Sequence, residues 1–530
     1  KTKIPLMLNT HYRFLLFLVI IIEGYIVLST ELLAIRQSIP FVGSGTDTVS
    51  VIIAAVLMPL AFGYQAGGNF KIKRLFGKRI TVRRKLIINI TIAALILLPG
   101  LSYQFMLMFF SFLSSLEITN RIHQISIYSI LFLVIPVYLL GQTVPLVSNF
   151  FGRERLPEVT GKILFFSTVG SFLGAVFSTL FLMNTIGVNH TVTLNFVLMA
   201  ILVILLSKKQ ASVPVIITTL LAFGTIALAA EHRAAAIVIA LLSTAIVITL
   251  IIVTRRKTSL AVFAMIILSL SAIWFNSNST MRNFRMVKLN MYHNIQVVNV
   301  KNGNRHLMLN NNYSSRYNPE TGRKHHYIEF AEKVAISPIL NSNPPRDVLV
   351  IGAGGFTFGS EDKNNNYVYV DIDKDLKNIS EKYILGRTID KNKTFEAVPI
   401  RAYLASTDQK FDVIYLDAYL GGVSVPEHLI TKEFFETVKE HLKDKGLLVT
   451  NFIASPNFNN QFSRNLDNTI RSVFPHISRQ AILENYLLWD ENPSAMANIS
   501  YIYKHEDNYD AGQIYTDDKK TVVYDLPKGP

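Results

Sequence analysis

The sequence predicts two parts of different class. A polytopic α-helical membrane bundle of about nine spans comes first. A soluble α/β domain follows, with a parallel, doubly wound sheet and a small N-terminal β element. Three observations predict this. Half of the 530 residues are hydrophobic and only 17% are charged, and the apolar ones crowd ahead of residue 277. The stretch Val348–Asp373 reads as apolar strand, glycine turn, apolar strand and acid. Behind it, apolar strands alternate with amphipathic helices.

The apolar half divides into stretches near the ~20 residues a bilayer requires. They run roughly over 13–35, 48–66, 86–112, 124–147, 162–184, 190–207, 212–230, 234–254 and 258–276. The third is expected to kink at Pro99-Gly100. Lys71–Lys85 carries eight basic residues and no acid, whereas Pro40–Thr48 and Thr185–His190 are nearly uncharged. By the positive-inside rule the basic loops face the cytoplasm of a cell (inner) membrane, as does the N-terminus. An odd number of spans then puts everything after residue 277 outside. Much of the net charge of +15 sits in these loops, so it marks topology rather than nucleic-acid binding. Glu23 lies in the middle of the first span, where ionisable groups are costly and face protein or water, and Glu31 and Arg36 lie near the outer end of the same helix. Small-residue patterns, Gly63…Gly67-Gly68 and Gly170…Gly174, let helices approach closely.

The expected domains are 1–276 for the membrane part and 277–345 for a connector, small β element and helix. The main α/β domain takes 346–505, and 506–530 form a polar tail. Alternation over 291–318 suggests two or three antiparallel strands turning at Asn302-Gly303-Asn304. Tyr327–Ile339 reads as a helix and Val348–Ile351 as a buried strand. Gly352, Gly354 and Gly355 then make a turn where a nucleoside can approach the backbone. Asp371 lies about 20 residues on, the distance at which an acid takes ribose hydroxyls. Phe411–Leu416 is a strand ending on Asp417. Thr431–Leu442 is a helix terminated by Lys445-Gly446, and Leu447–Phe452 is the next strand. The glycine turn, Asp371 and Asp417 all fall at carboxyl ends of strands, where such sheets bind ligands.

These residues resemble a family. Tyr292-His293-Asn294-Ile295, Leu307–Asn310 and Tyr327-Ile328-Glu329 precede the glycine turn. Tyr369–Asp373, Asp412–Asp417 and Val425–Leu429 follow it. Together they look like the spermidine synthase (polyamine aminopropyltransferase) family, with its Rossmann-like class I methyltransferase fold. The membrane half resembles the multi-pass domain fused to some members, where segments like Glu31…Arg36 and Gly141–Pro145 recur. The resemblance implies transfer of an aminopropyl group from decarboxylated S-adenosylmethionine to a small amine or polyamine. It implies that Asp417 is the catalytic acid and that Asp371 holds the donor ribose. Gly352, Gly354 and Gly355 would pass the nucleoside, and Tyr327 and Glu329 would line the substrate site.

This chain departs from the family pattern. Leu420 stands where a second aspartate is usual. Phe356, Thr357 and Phe358 stand where an acid meets the donor amine, and Pro399-Ile400 replace the acid near the adenine. The decarboxylated donor is also a cytosolic metabolite. Two readings therefore stand: an aminopropyltransferase or related nucleoside-using transferase, and a non-catalytic extracytoplasmic docking module of a membrane complex. The lipid bilayer is the expected partner in both, with a membrane protein or a second copy of the chain as a further one. No metal is expected. The chain has no cysteine, and His293, His306, His325 and His326 match no zinc spacing.

Overall fold

The computed structural model describes residues 10–43, 45–71, 74–75, 78–149, 156–207, 260–419, 425–482 and 496–504. The expected spans over 212–230 and 234–254 lie outside the described residues. The described residues divide into two compact units, the first running to Glu320 and taking in Tyr419, the second comprising Thr321–Ala418 and the described residues from Val425 on.

Among the described residues of the first unit, six helices are long and apolar enough to cross a membrane. They are α1 (Phe14–Val42), α2 (Thr46–Gly68), α3 (Val82–Leu101), α5 (Arg121–Ser148), α6 (Glu158–Thr185) and α7 (Val188–Leu206). A shorter helix, α4 (Tyr103–Ser115), follows α3, and α8 (Leu260–Phe275) is also short and apolar. Large apolar side chains on α2 and α6, such as Phe62, Phe165, Phe172 and Phe181, remain exposed, as lipid-facing surfaces require. Helices α1 and α6 cross closely through glycine. A Cβ on Gly24 would come within 2.6 Å of the Ser167 carbonyl oxygen.

The third stretch is two helices, not one kinked span. The chain leaves helical geometry at Ser102 (φ −101°, ψ 121°), while Pro99 and Gly100 stay inside α3. Helix-end carbonyls must find partners in a bilayer. Here Tyr128 donates its hydroxyl to the Gly100 carbonyl at 2.7 Å. Gln37 Nε2 donates to the Leu101 carbonyl at 2.7 Å. With both carbonyls satisfied, the helix can stop inside the bundle.

After a short helix, α9 (Asn278–Asn283), an antiparallel four-stranded meander packs on one end of the helices. Its strands are β1 (Met286–Leu289), β2 (Asn294–Asn299), β3 (Arg305–Leu309) and β4 (Asn312–Tyr317), in that order. This is one or two strands more than the alternation suggests. β1 lies in the stretch expected as connector. The β2–β3 turn falls at Gly303 (φ +82°), as expected. The sheet is fastened to the bundle by side chains. Arg36 donates from Nε to the Asn290 carbonyl (2.9 Å) and from Nη2 to Asn294 Oδ1 (3.0 Å). Tyr103 donates to Asn311 Oδ1 at 2.6 Å. Arg83, at the start of α3, instead donates to the carbonyls of Leu206 and Ser207 at the far end of α7. The basic stretch before α3 therefore lies at the end of the bundle opposite the small sheet.

The second unit begins with α10 (His326–Ala335) and holds a seven-stranded sheet. Its strands are β5 (Asp347–Ile351), β6 (Asn366–Val370), β7 (Lys393–Glu396), β8 (Phe411–Leu416), β9 (Leu442–Ala454), β10 (Ser478–Ile482) and β11 (Ala497–Lys504). Their spatial order is β10-β11-β9-β8-β5-β6-β7. β5 to β9 run parallel, and β11 pairs antiparallel with both β9 and β10. Val348–Ile351 and Val413–Leu416 are buried throughout, the mark of strands covered on both faces. Helix α11 (Lys432–Glu440) is capped by Thr431, whose side chain accepts from Phe434 N, and it buries Phe434, Phe435 and Val438. It ends two residues before the expected Leu442. That residue already pairs with Phe411, and the next pair is Val413 with Leu447, so 443–446 bulge out of the ladder.

Alternation of strand and helix fails at one step. Between β5 and β6 the described chain makes turns only. Gly359 (φ +70°), Asp362 and Asn364–Asn366 are poor helix material. Asp362 collects the donors instead. It accepts from Asn364 N at 2.8 Å, Asn365 Nδ2 at 2.6 Å and the Tyr367 hydroxyl at 2.7 Å. Lys393 Nζ ties the Asp362 carbonyl to Asp390 at 2.6 Å each. Polar contacts thus fix a crossover that a helix would otherwise fill.

Candidate active site

The ladder extends by one residue at the carboxyl edge of the central strands. Gly352 N donates to the Val370 carbonyl (3.0 Å), Asp417 N to Ile351 (2.9 Å) and Asp371 N to Glu396 (3.1 Å). Three of the predicted site residues, Gly352, Asp371 and Asp417, are therefore brought to one edge by neighbouring strands. Gly352 has φ +90°, and a Cβ there would collide with the Asp417 carbonyl oxygen. Only glycine lets the turn pass so close.

Asp417 is only partly exposed and faces three neutral donors. Asn451 Nδ2 donates to Oδ1 at 2.9 Å, Tyr415 donates its hydroxyl to Oδ2 at 3.2 Å, and Tyr327 adds a third hydrogen bond. Burial pushes the carboxyl up to about 6, and the three hydrogen bonds pull the other way without winning. The acid is poised to take or give a proton near neutrality.

Asp371 is used differently. Its Oδ2 accepts from Ala353 N and its Oδ1 from Asp373 N, both at 3.0 Å, so it clamps the glycine turn. Gly354 (φ +47°) follows, and its carbonyl accepts from the Ser380 hydroxyl at 3.2 Å. Gly355 lies in the same turn. Phe356 (φ +56°) is held in the left-handed region by burial against Tyr369 and Phe395. Phe358 is buried too. It stacks on Tyr415 with centroids 4.1 Å apart and planes 9° from parallel.

Tyr327 and Glu329 part company. Tyr327 reaches Asp417, whereas Glu329 turns to the start of its own helix. There its Oε1 accepts from Lys324 N at 2.9 Å and lies 3.5 Å from Arg323 Nε. Among the described residues, no group of three or more His, Asp or Glu could hold a metal ion.

Sequence reading missed Tyr415 and Asn451. Tyr415 was findable, since it lies two residues before Asp417 and so on the same strand face. Asn451 was not, because its position depends on the register that sets Leu416 beside Thr450.

The family model of the spermine/spermidine synthase domain matches residues 329–486. A probable polyamine aminopropyl transferase of Bifidobacterium longum is 30% identical over 142 residues, 26% of this chain and 31% of that protein. The polyamine aminopropyltransferase of Saccharolobus solfataricus is 30% identical over 157 residues, 28% of this chain and 52% of that protein. The chain thus spans from under a third to about half the length of these curated relatives. A probable spermidine synthase from Corynebacterium glutamicum has a solved structure that matches at 16% identity and a TM-score of 0.35. The match covers 42% of this chain and 80% of that one. Residues 329–486 are thus similar to the spermine/spermidine synthase domain and distantly similar to polyamine aminopropyltransferases, and among the described residues six long apolar helices precede them.

Proposed function

We propose that the second unit is a transferase that takes decarboxylated S-adenosylmethionine, or a close nucleoside relative, as donor and a small amine or polyamine as acceptor. The observation that carries the reading is the Asp417 carboxyl, set at a strand end beside the glycine turn with Tyr327, Tyr415 and Asn451 on it. The acceptor nitrogen attacks the carbon next to the donor sulfonium. The carbon–sulfur bond breaks and methylthioadenosine leaves. Asp417 receives the proton that the new ammonium sheds. Asp371, next to Ala353 N, takes the ribose hydroxyls. Gly352, Gly354 and Gly355 let the nucleoside approach the backbone. Tyr327 orients Asp417.

A second reading has its own support. The turn between β5 and β6 is filled by Phe356 and Phe358, and the small sheet sits at the bundle end opposite the basic stretch. By the positive-inside rule that end faces away from the cytoplasm, and no apolar span intervenes between β4 and Thr321. On this reading the domain is an extracytoplasmic docking module, with a membrane protein or a second copy as partner.

Calorimetry on the full chain in detergent, titrated with methylthioadenosine, separates the two. The transferase reading expects binding that Asp371→Ala removes and Asp417→Asn spares. No heat at millimolar nucleoside would leave the docking reading standing.

A further inference from the structure

Helix α1 is apolar without interruption from Phe14 to Ile22, and then reaches Glu23. Glu23 is 2% exposed, deep in the bundle. On α2, the Tyr64 hydroxyl lies within electrostatic reach of it and hydrogen-bonds Ser167 on α6. The next residue, Gly24, brings α1 against the Ser167 backbone, so α1, α2 and α6 meet at this level of the bundle. The other nearby titratable groups are Tyr25 and, about two turns along α1, Glu31. No described cation forms an ion pair with Glu23, and a bare carboxylate at this depth is costly.

The surroundings are one-sided. Toward the small-sheet end, α1 carries a seam of buried polar groups. The Ser178 hydroxyl hydrogen-bonds the Tyr25 hydroxyl (2.8 Å) and Ser29 Oγ (2.9 Å). Asn195 Nδ2 reaches Thr30 Oγ1 at 3.4 Å, and the seam ends at Arg36 on Asn290 and Asn294. Ser178 lies in a π-helical stretch of α6, Phe177–Leu182, a local widening that recurs at functional sites. Toward the other end, α1 itself presents the uninterrupted apolar run Phe14–Ile22.

We propose that Glu23 is an intramembrane site for a small monovalent cation, a proton or a metal ion, reached along the α1 seam from the small-sheet end and closed toward the other. The proposal concerns the bundle alone and stands or falls apart from the transferase reading.

The test uses the native chain in its membrane. Dicyclohexylcarbodiimide modifies protonated carboxyls in apolar surroundings, and peptide mass spectrometry reads the adduct. Glu23 is expected to be modified, more in acid than in alkaline buffer. Protection by sodium chloride but not choline chloride at fixed pH identifies a metal-ion site, and equal modification in both identifies a proton site. An unmodified Glu23, in membranes where another carboxyl reacts, overturns the proposal. The absence of native cysteine supplies the access test. Ser29→Cys and Thr30→Cys should react with a small cationic methanethiosulfonate, and Val19→Cys should not. Reaction at Val19→Cys but not at Ser29→Cys or Thr30→Cys overturns the route.

Discussion

The carbonyl oxygen of Asp417 occupies the space that a side chain on Gly352 would need. Backbone from two neighbouring strand ends thus meets where the candidate chemistry sits. Gly352→Ala has no escape, because the obstacle is backbone and φ is +90°. The strain expected is about 1–3 kcal/mol. Thermal melting of the purified chain should fall by several degrees, and methylthioadenosine binding should be lost. A variant with unchanged melting and binding would show that the turn moves freely.

Asp417 links function to stability in opposite senses. Its folded value, about 6, lies above the ordinary 3.8, so the folded state holds the proton more tightly than the unfolded chain. The resulting penalty is absent below about 4, grows as pH rises toward 6, and is complete above it. Asp417→Asn should therefore abolish turnover and raise the melting temperature in neutral buffer. The gain is up to about 2 kcal/mol after its partial exposure is discounted. In the parent chain, kcat/KM should rise through pH 6 as the base form appears. A flat profile would remove Asp417 from the proton's path.

What the sequence shows depends on how local the cause is. Val348–Ile351 and Phe411–Leu416 are legible because strands covered on both faces are apolar throughout. The glycine turn and the two strand-end acids follow from them. The turn-only crossover is not legible, since it rests on Lys393, 31 residues from Asp362, and on Glu332 accepting from Gly359 N at 2.7 Å. The break at Ser102 likewise depends on donors from Gln37 and Tyr128 on other helices. The terminal strands Ser478–Ile482 and Ala497–Lys504 mix polar and apolar residues, which blurs their pattern.

Phe358 supports the site from beneath. Its ring lies flat on Tyr415, and Tyr415 donates to Asp417. Phe358→Ala opens a cavity under that donor and should cost about 3–5 kcal/mol. Phe358→Leu keeps most of the volume and should cost less. If the stack positions Tyr415, the Leu variant lowers kcat more than it raises KM for the nucleoside. An equal change in both would make Phe358 a packing residue only.

The opposite edge of the sheet carries an acid-sensitive clasp. Lys443 Nζ lies 2.7 Å from Asp347 Oδ2 and 2.8 Å from Asp412 Oδ2, and Arg346 adds a contact to Asp412 at 3.2 Å. Burial alone would raise Asp412, but hydrogen bonds from Lys443 and Asp347 N outweigh it and hold the carboxyl below its usual range. A depressed acid contributes stability above its unfolded value and loses it as pH falls through the folded one. The parent chain should therefore lose stability below about pH 4. Lys443→Met should cost about 1 kcal/mol at neutral pH, with a shallower loss in acid. Parallel acid-unfolding curves would show that the clasp contributes nothing.

The side of the membrane on which the second unit lies bears on every functional reading. Arg36 and Tyr103 fix the small sheet to one end of the bundle, and Arg83 anchors the basic stretch at the other. The side of the small sheet therefore follows from the positive-inside rule without knowing how many spans lie between Leu206 and Leu260. If basic loops face the cytoplasm, Ser406→Cys in the second unit is labelled by an impermeant maleimide in intact cells. Ser406 is exposed, and the chain offers no competing thiol. Labelling in intact cells would separate the domain from a cytosolic donor and favour the docking reading. Labelling only after lysis would reverse the assignment of the bundle ends and bring the domain to the donor's side, where Asp417 has a substrate to act on.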